Sequence, residues 1–424
     1  MARLRPPYTT ALIAGAIVVA LALAIEQGLD QRVGHDFHVF WQAGRNFSHG
    51  DALYHGYLPG AREFKYPPFA AFVFQPLAVL PLSVAATLFS LLNLALWVVA
   101  AFLTRDIVAL TSSGRISTPV PLILALVLSA QFFLDNFHHV QMNAVILVLV
   151  LLGIRDYLQT KDLAAAGYIV TATAIKLIPI FFVAWLVIRG RRRAALAVPP
   201  LVAACVLVPL LVRGPAAGTA DLVEYYHSFL SGHQHGEVAS YTRGHNIASF
   251  VNRTMLQPES DSDVRRPSIA VSDGTAHRIY QVLWATVLLT FLGMLVVLRR
   301  RKAPVSAFEL SVVFLACLLL SPITFTANLV FLLFVFCAFL SVRFGTLSYP
   351  GRLVAVLLGV AMAATGLSGK DLVGRTVNLF IKEYGIFVLT MLLLFVAGVV
   401  LAVRESRGSR IGGEGSAVSR LTSA

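Results

Sequence analysis

Long apolar segments separated by short polar ones run along the chain from residue 9 to residue 403. Many of these segments approach or exceed the roughly 18 residues with which a helix crosses a bilayer core. This pattern predicts about twelve transmembrane helices. The predicted spans are 9–25, 67–80, 82–103, 119–135, 141–154, 163–189, 194–212, 277–298, 306–320, 327–342, 353–366 and 384–403.

Two of these spans have unusual lengths. The span 67–80 is short and is flanked by prolines. The span 163–189 is long enough to break at Pro179, because a proline inside a helix removes a backbone hydrogen bond. The first span, 9–25, is expected to be an uncleaved helix that anchors the polar segment after it. A different path of the chain at these positions would change the count by one or two.

The composition agrees with an all-α polytopic transmembrane bundle. Of the 424 residues, 57% are hydrophobic and 13% are charged, whereas about a quarter are charged in a soluble domain. We expect residues 1–403 to form a single transmembrane domain. Residues 404–424 are rich in Ser, Gly and Arg and are expected to form a disordered cytoplasmic tail.

The net charge of +13 reports on topology. Arginine clusters at 189–193 and 299–302 lie in short loops between apolar spans, as the positive-inside rule requires of cytoplasmic loops. Nucleic acid is therefore not the expected partner. With these loops inside, the polar segments 26–66 and 213–276 lie outside the cytoplasm, and a functional site is expected on that face.

Asp36 begins a polar stretch with helical spacing of its apolar residues. Phe37, Phe40 and Phe47 fall on one face, which predicts an amphipathic helix in the membrane interface. The Asp36 carboxylate then has two interpretations. It caps the first amide groups of this helix, or it is a base held at the membrane surface.

Lys176 lies inside an apolar stretch, about 20 Å from Arg189 at 1.5 Å per residue, which places it in the outer half of the bilayer. An ionisable residue there costs about 3 kcal/mol on insertion scales and calls for an anionic partner. That partner is a protein carboxylate or a lipid phosphate, and few acidic residues lie in the predicted spans. Lys65, just outside the membrane, either meets a phosphate or extends its amine to lipid headgroups.

Other polar residues carry weaker signals. Gln141 and Asn143 begin a span, where amides usually cap helices or bond between them. The segment Arg243–Ser249 is polar enough to bind a sugar. His233 and His235 suggest a metal site, but no third ligand is evident, so no metal is predicted. The three cysteines all lie in apolar runs, which predicts neither a disulfide framework nor a zinc site.

Several short motifs, in order, resemble those of glycosyltransferase family 87, a group of GT-C type membrane enzymes that use polyprenyl-phosphate sugars. The resemblance covers about residues 30–340, and it rests on the order and spacing of the motifs rather than on any single one. The motifs are D-F-H-V-F-W-Q-A-G (36–44), G-D-A-L-Y (50–54), F-K-Y-P-P-F (64–69), Q-P-L-A-V-L-P (75–81), Q-M-N (141–143), I-K-L-I-P (175–179), H-N-I-A-S (245–249) and L-S-P-I-T-F (320–325).

The resemblance implies an inverting transfer of a hexose, with mannose as the first expectation, from a polyprenyl phosphate to a lipid or glycan acceptor. It implies Asp36 as the catalytic base, no cofactor, and a bacterial plasma membrane location with an extracytoplasmic active site. Family members commonly have a histidine where this chain reads Thr326-Ala327-Asn328, a departure that bears on the donor sugar or on the role of that turn. The predicted substrate-binding residues are Lys176, Lys65, Tyr66, Gln141, Asn143, Arg243, His245, Asn246 and Asn328.

Two other classes of protein remain open from the sequence. A transporter or flippase of a lipid-linked sugar would move its substrate without breaking a bond, and it would have several polar residues at mid-membrane depth. The sequence offers mainly Lys176 there. A non-catalytic membrane scaffold would tolerate loss of both Asp36 and Lys176.

Overall fold

The computed structural model describes residues 7–30, 36–54, 63–112, 118–231, 244–256, 269–342 and 348–421, without the side chains of 7–14, 16 and 408–421. The described chain is helical, with no strand among these residues. Its helices are α1 (Pro7–Leu29), α2 (Asp36–His49), α3 (Pro68–Ala78), α4 (Leu82–Thr111), α5 (Val120–His138), α6 (Asn143–Leu158), α7 (Asp162–Ile175), α8 (Ile180–Arg189), α9 (Arg192–Arg213), α10 (Pro215–Tyr225), α11 (Ile247–Met255), α12 (Asp273–Arg300), α13 (Ala307–Leu320), α14 (Leu332–Leu340), α15 (Tyr349–Gly366), α16 (Lys370–Glu383) and α17 (Ile386–Leu421).

The predicted all-α polytopic bundle is confirmed. Among the described residues, six helices are long and apolar enough to cross a membrane, namely α4, α5, α9, α12, α15 and the segment Ile386–Arg407 of α17. The centre of the bundle is α13, in which every residue is buried. A helix that is apolar all round belongs inside a bundle, where each face meets another helix. The disordered tail stays a prediction.

The two ends of the bundle differ in chemistry. One end, which we call the arginine end, holds both arginine clusters close together, because Arg299 donates to the backbone carbonyls of Val187 and Ile188. The other end, which we call the aspartate end, holds Asp36 and the termini of α5 and α6 that contact it. The sequence prediction that both arginine clusters share one face agrees with this packing.

The structure differs from the predicted spans first at 67–80. This segment forms α3, which has 11 residues and is therefore about 17 Å long. It packs along α2, with Phe74 stacked on Phe40 at 5.1 Å between ring centroids. Gly44 permits this approach, because a Cβ there would lie 2.9 Å from the backbone of Phe74. The helix therefore stays at the aspartate end and does not cross the bundle.

The second difference is at 163–189, which forms two antiparallel helices instead of one broken span. Asp162 and Arg191 are paired at the arginine end, so α7 begins and α8 ends there. Lys176, between these helices, reaches Asn143 at the start of α6, at the aspartate end. The chain thus makes a hairpin with Lys176 at its tip. One predicted span is lost at α3 and one is gained here. The helices α4, α5 and α6 between the two differences therefore run opposite to the predicted direction, which brings Gln141 to the aspartate end beside Asp36. The helices after the hairpin run as predicted.

A buried ion pair holds the base of this hairpin against the central helix. Arg189 Nε lies 3.1 Å from Glu309 Oε1, and the glutamate side chain has no exposed surface. Trp185 Nε1 donates to the same carboxylate oxygen at 2.8 Å. The pair closes the arginine end of α8 onto α13, and so it supports the hairpin whose tip carries Lys176.

We expect Arg189→Met to destabilise the protein by about 3–5 kcal/mol, because it leaves the Glu309 carboxylate buried without its counter-charge. Thermal unfolding in detergent measures this. The matched control is Arg105→Met, whose partner Asp106 and own side chain are both 49% exposed, and a loss of at most about 1 kcal/mol is expected there. Equal losses in the two variants would contradict the role given to the buried pair.

Candidate active site

Asp36 is the first residue of α2, and its side chain contacts the turn between α5 and α6. The carboxylate atom Oδ2 accepts a hydrogen bond of 2.5 Å from Gln141 Nε2, in the turn between α5 and α6. The predicted helix is present, but its apolar face is buried in the protein: Phe37, Phe40 and Phe47 are each at most 3% exposed. A carboxylate that only capped its own helix would not need this contact from another helix.

The far end of α2 is anchored by Arg213 at the end of α9. Its guanidinium donates to the backbone carbonyls of Asn46 at 3.0 Å and Asp51 at 2.8 Å. It also pairs with Asp221 at 2.9 Å. Burial raises the pKa of Asp221, and the Arg213 guanidinium opposes that rise. These contacts fix the axis of α2 and therefore the position of Asp36.

Lys176 terminates α7 in an extended conformation, which turns its side chain into the bundle. Its Nζ donates to Asn143 Oδ1 at 2.7 Å and to Asn328 Oδ1 at 3.3 Å. The ring centroid of Tyr66 lies 5.5 Å from the same nitrogen. Asp36 is near enough to attract the ammonium electrostatically. The hydrogen-bond acceptors are neutral, so they solvate the positive charge without cancelling it.

These contacts gather six of the predicted site residues at the aspartate end. They come from five separate parts of the chain: α2, the segment before α3, the α5–α6 turn, the turn after α7 and the turn after α13. The six residues are Asp36, Tyr66, Gln141, Asn143, Lys176 and Asn328.

Two amide atoms in this cluster lack a partner among the described residues. They are Gln141 Oε1 and Asn143 Nδ2, both buried. Native structures almost always pair such atoms with protein, water or ligand. One is an acceptor beside Asp36 and the other a donor beside Lys176, so the pair can bind a ligand that carries both hydroxyl groups and acceptor oxygens.

The His245–Asn246 segment fastens the turn that carries Asn328. Asn246 Nδ2 donates to the carbonyls of Ser321 and Pro322, each at 2.6 Å. Its Oδ1 caps α11 by accepting from Ser249 N at 2.8 Å. Both ends of the amide are thus engaged in holding the backbone. The prediction that Asn246 binds substrate stays a prediction, and its observed contacts are structural.

A histidine does approach the segment where the family motif commonly places one. It is His245, whose Nε2 lies 3.1 Å from Thr326 Oγ1 and whose backbone N–H donates to Thr324 O at 2.6 Å. Burial lowers the pKa of His245 well below 6.5, and the charges of Arg253 and Lys382 lower it further. The imidazole is therefore neutral at pH 7.

The remaining predicted residues lie outside this cluster or outside the described chain. Lys65 is 37% exposed, and its amine lies 3.9 Å from the Glu63 carboxylate. Arg243, His233 and His235 fall in 232–243, which lies outside the described residues. Within the described part of the chain, no three His, Cys, Asp or Glu side chains come together to hold a metal ion.

Sequence reasoning missed two buried asparagines next to the site. Asn136 Oδ1 accepts from the backbone N–H of Asn143 at 3.2 Å, and Asn136 Nδ2 donates to Asn93 Oδ1 at 3.0 Å. The available signal was a lone amide within an apolar span at Asn93 and a group of polar residues after the span 119–135 at Asn136. Such residues commonly join helices in a membrane, so the signal alone does not indicate a functional site.

The family model of glycosyltransferase family 87 matches residues 64–322. The match covers more than half of the chain, so the protein belongs to glycosyltransferase family 87, and the resemblance seen in the motifs is confirmed. It is therefore a membrane glycosyltransferase. The matched range contains Gln141, Asn143 and Lys176, whereas Asp36 precedes it and Asn328 follows it. No curated protein matches the sequence.

The neutral state of His245 predicts a pH dependence of stability. The pKa of His245 in the folded protein is lower than the ordinary 6.5 of the unfolded chain. Above pH 6.5 the imidazole is neutral in the folded and in the unfolded protein. Just below pH 6.5 only the unfolded protein gains a proton at this residue. The stabilisation is therefore complete above pH 6.5 and falls as the pH drops, by at most about 1.4 kcal/mol per pH unit.

Thermal unfolding of the wild type and of His245→Gln between pH 7.5 and 5.5 measures this effect. We expect the wild type to lose more stability than the variant over this range, because glutamine does not titrate. Parallel decreases in the two proteins would show that His245 does not carry the effect.

Proposed function

We propose that the protein transfers a hexose, with mannose as the first candidate, from a polyprenyl phosphate to a hydroxyl group of a lipid or glycan acceptor. The observation that carries this proposal is the cluster in which Asp36 and Lys176 are held by Gln141 and Asn143, two amides separated by one residue. A base and a cation held by one turn suit the two ends of a displacement reaction, in which one oxygen attacks and another leaves.

The proposed chemistry assigns each group one role. The Asp36 carboxylate takes the proton of the acceptor hydroxyl, whose oxygen forms a bond to the anomeric carbon. The bond from that carbon to the phosphate oxygen breaks, and the polyprenyl phosphate leaves with the electron pair. The Lys176 ammonium stabilises the charge that develops on it. Direct displacement inverts the anomeric configuration, and no general acid is needed because phosphate is a good leaving group.

The membrane location of Lys176 supports a lipid-linked donor. The lysine sits at the tip of a hairpin of two apolar helices, at the aspartate end. A polyprenyl phosphate places its charge near the membrane surface and its chain among such helices, whereas a nucleotide sugar is a soluble cytoplasmic molecule. Of the two partners that the sequence left open for Lys176, the Asp36 carboxylate is near enough to attract it, and we propose the donor's lipid phosphate as the second anion.

The distribution of arginines supports an extracytoplasmic site. Both arginine clusters lie at one end of the bundle, and the positive-inside rule assigns that end to the cytoplasm. The aspartate end then faces outside. We infer a bacterial plasma membrane location, with the acceptor taken from the cell envelope.

A transporter or flippase of a lipid-linked sugar is the second candidate for the detailed activity, because a cation placed among apolar helices also suits passage of a phosphate. The family assignment favours transfer over transport. The two differ in one observable: a transporter leaves the sugar on its carrier.

We expect Asp36→Asn to lower the transfer rate by about 10²–10⁴-fold, because the amide cannot accept the hydroxyl proton. The assay incubates purified protein with polyprenyl-phosphate-[14C]mannose and a membrane lipid extract, and follows the label by chromatography. The matched control is Asp51→Asn, an exposed carboxylate beyond the other end of α2, which should retain activity. Equal rates for Asp36→Asn and the wild type would remove Asp36 as the base, and donor left intact by the wild type across several sugars would favour transport.

A further inference from the structure

A chain of buried asparagines leads from α4 through α5 to the site. Asn93, Asn136 and Asn143 are each at most 3% exposed. Asn93 Nδ2 donates to Phe89 O at 3.1 Å, which turns Asn93 Oδ1 toward Asn136. Asn136 Nδ2 donates to that oxygen, which leaves Asn136 Oδ1 to accept from the backbone of Asn143. The orientation of each amide is thus set by the one before it.

Asn136 also holds the turn between α5 and α6 through its backbone. Its carbonyl accepts from Gln141 N–H at 2.9 Å, and Phe137 O accepts from Val140 N–H at 3.0 Å. This pair of bonds is the Schellman arrangement that ends many helices. The turn therefore ties both Gln141 and Asn143 to Asn136, one through its carbonyl and one through its side chain.

The turn is strained at Val140. This residue has φ of 48° and is fully buried. The corresponding position of a Schellman turn is usually glycine, because a β-branched side chain fits the left-handed region poorly. Strain of this kind persists only where surrounding contacts impose it, and it often marks functional sites. The hydrogen bonds on either side of Val140, from its own N–H to Phe137 O and from Gln141 N–H to Asn136 O, accompany this conformation.

We propose that Asn136 is the positioning residue of the active site: its buried side chain, oriented by Asn93, fixes the α5–α6 turn so that Gln141 contacts Asp36 while Asn143 contacts Lys176. This inference rests on the proposed function, because it assigns Asn136 to the same site. Asn136 touches neither Asp36 nor Lys176 in the contacts described above, and it acts through the two residues that do.

The test compares three alanine variants of buried polar residues. Asn136→Ala removes the contact with Asn143, and Asn93→Ala removes only the group that orients Asn136. Ser129→Ala is the matched control, because Ser129 is fully buried on α5 and its hydroxyl donates to Ala125 O within the same helix. Each folded variant is assayed for kcat/KM with the polyprenyl-phosphate donor. A second readout is the rate at which Lys176 is acetylated at fixed pH, followed by mass spectrometry.

We expect kcat/KM to fall about 10- to 100-fold in Asn136→Ala, by analogy with the range seen when a hydrogen-bond partner of a metal ligand is removed. Asn93→Ala should show a smaller loss and Ser129→Ala none. Acetylation of Lys176 should be faster in Asn136→Ala, because Asn143 no longer holds the amine. Adding Asn136→Ala to Asn143→Ala should cause little further loss, because the first acts through the second.

Wild-type kcat/KM and acetylation in folded Asn136→Ala would overturn the proposal. A second result would also overturn it: a loss of kcat/KM in Asn136→Ala that adds fully to the loss in Asn143→Ala, with acetylation of Lys176 unchanged. Such a result describes a residue that only stabilises the fold. If Asn136→Ala does not fold, Asn93→Ala carries the same comparison. Acetylation does not depend on the reaction, so a wild type that transfers no sugar would refute the proposed function while the role of Asn136 in holding Lys176 is still measured.

Discussion

The positive charge of Lys176, placed among apolar helices, is the constraint around which the aspartate end is built. Such a charge costs about 2.5–3.5 kcal/mol on insertion scales, so the protein must surround it with polar atoms. Asn143 and Asn328 provide the acceptors, and they come from the turns before α6 and after α13. Both turns must therefore be held in place, and the asparagine chain and the Asn246 contacts hold them.

The choice of neutral acceptors has a functional consequence. A lysine in direct contact with a buried carboxylate would form a pair in which each charge satisfies the other. Here the Asp36 carboxylate accepts a hydrogen bond from Gln141, and the Lys176 ammonium donates hydrogen bonds to Asn143 and Asn328. The amides keep the base and the cation together in one site. The buried pair of Arg189 and Glu309 at the opposite end is the contrasting case, because its charges do satisfy each other and serve the fold.

The sequence predicted the helical bundle, because long apolar runs are strong signals. The site roles of Asp36 and Lys176 stay predictions, and the structure brings the two residues together at one end. The sequence was less informative where only the length of an apolar segment indicated whether it crosses the membrane. A run of apolar residues does not show whether α3 packs along α2 or crosses, nor whether 163–189 passes once or turns back at Lys176. The two differences cancel in direction, so the predicted sidedness is wrong for α4, α5 and α6 and agrees with the packing from the hairpin onward.

The supporting residues were beyond sequence reasoning for a different reason. Asn93 and Asn136 lie 43 residues apart, and only packing of α4 on α5 brings their amides together. Asn246 is of a residue type that commonly binds sugars. Its side-chain amide nevertheless donates hydrogen bonds to the backbone carbonyls of Ser321 and Pro322, in a turn distant along the chain. Contacts of this kind depend on tertiary structure, so the residue type alone does not distinguish a ligand contact from a structural one.

The most direct test of the account is the binding of a radiolabelled polyprenyl phosphate, without sugar, to the purified protein and to Lys176→Met. The matched control is Lys161→Met, because Lys161 is exposed and adjoins the start of α7, at the arginine end. The account predicts saturable binding to the wild type and the control, and a loss of at least about tenfold in affinity in Lys176→Met, as expected when a charge-assisted contact with phosphate is removed. Equal affinity in all three proteins would contradict the assignment of Lys176 as the phosphate-binding cation.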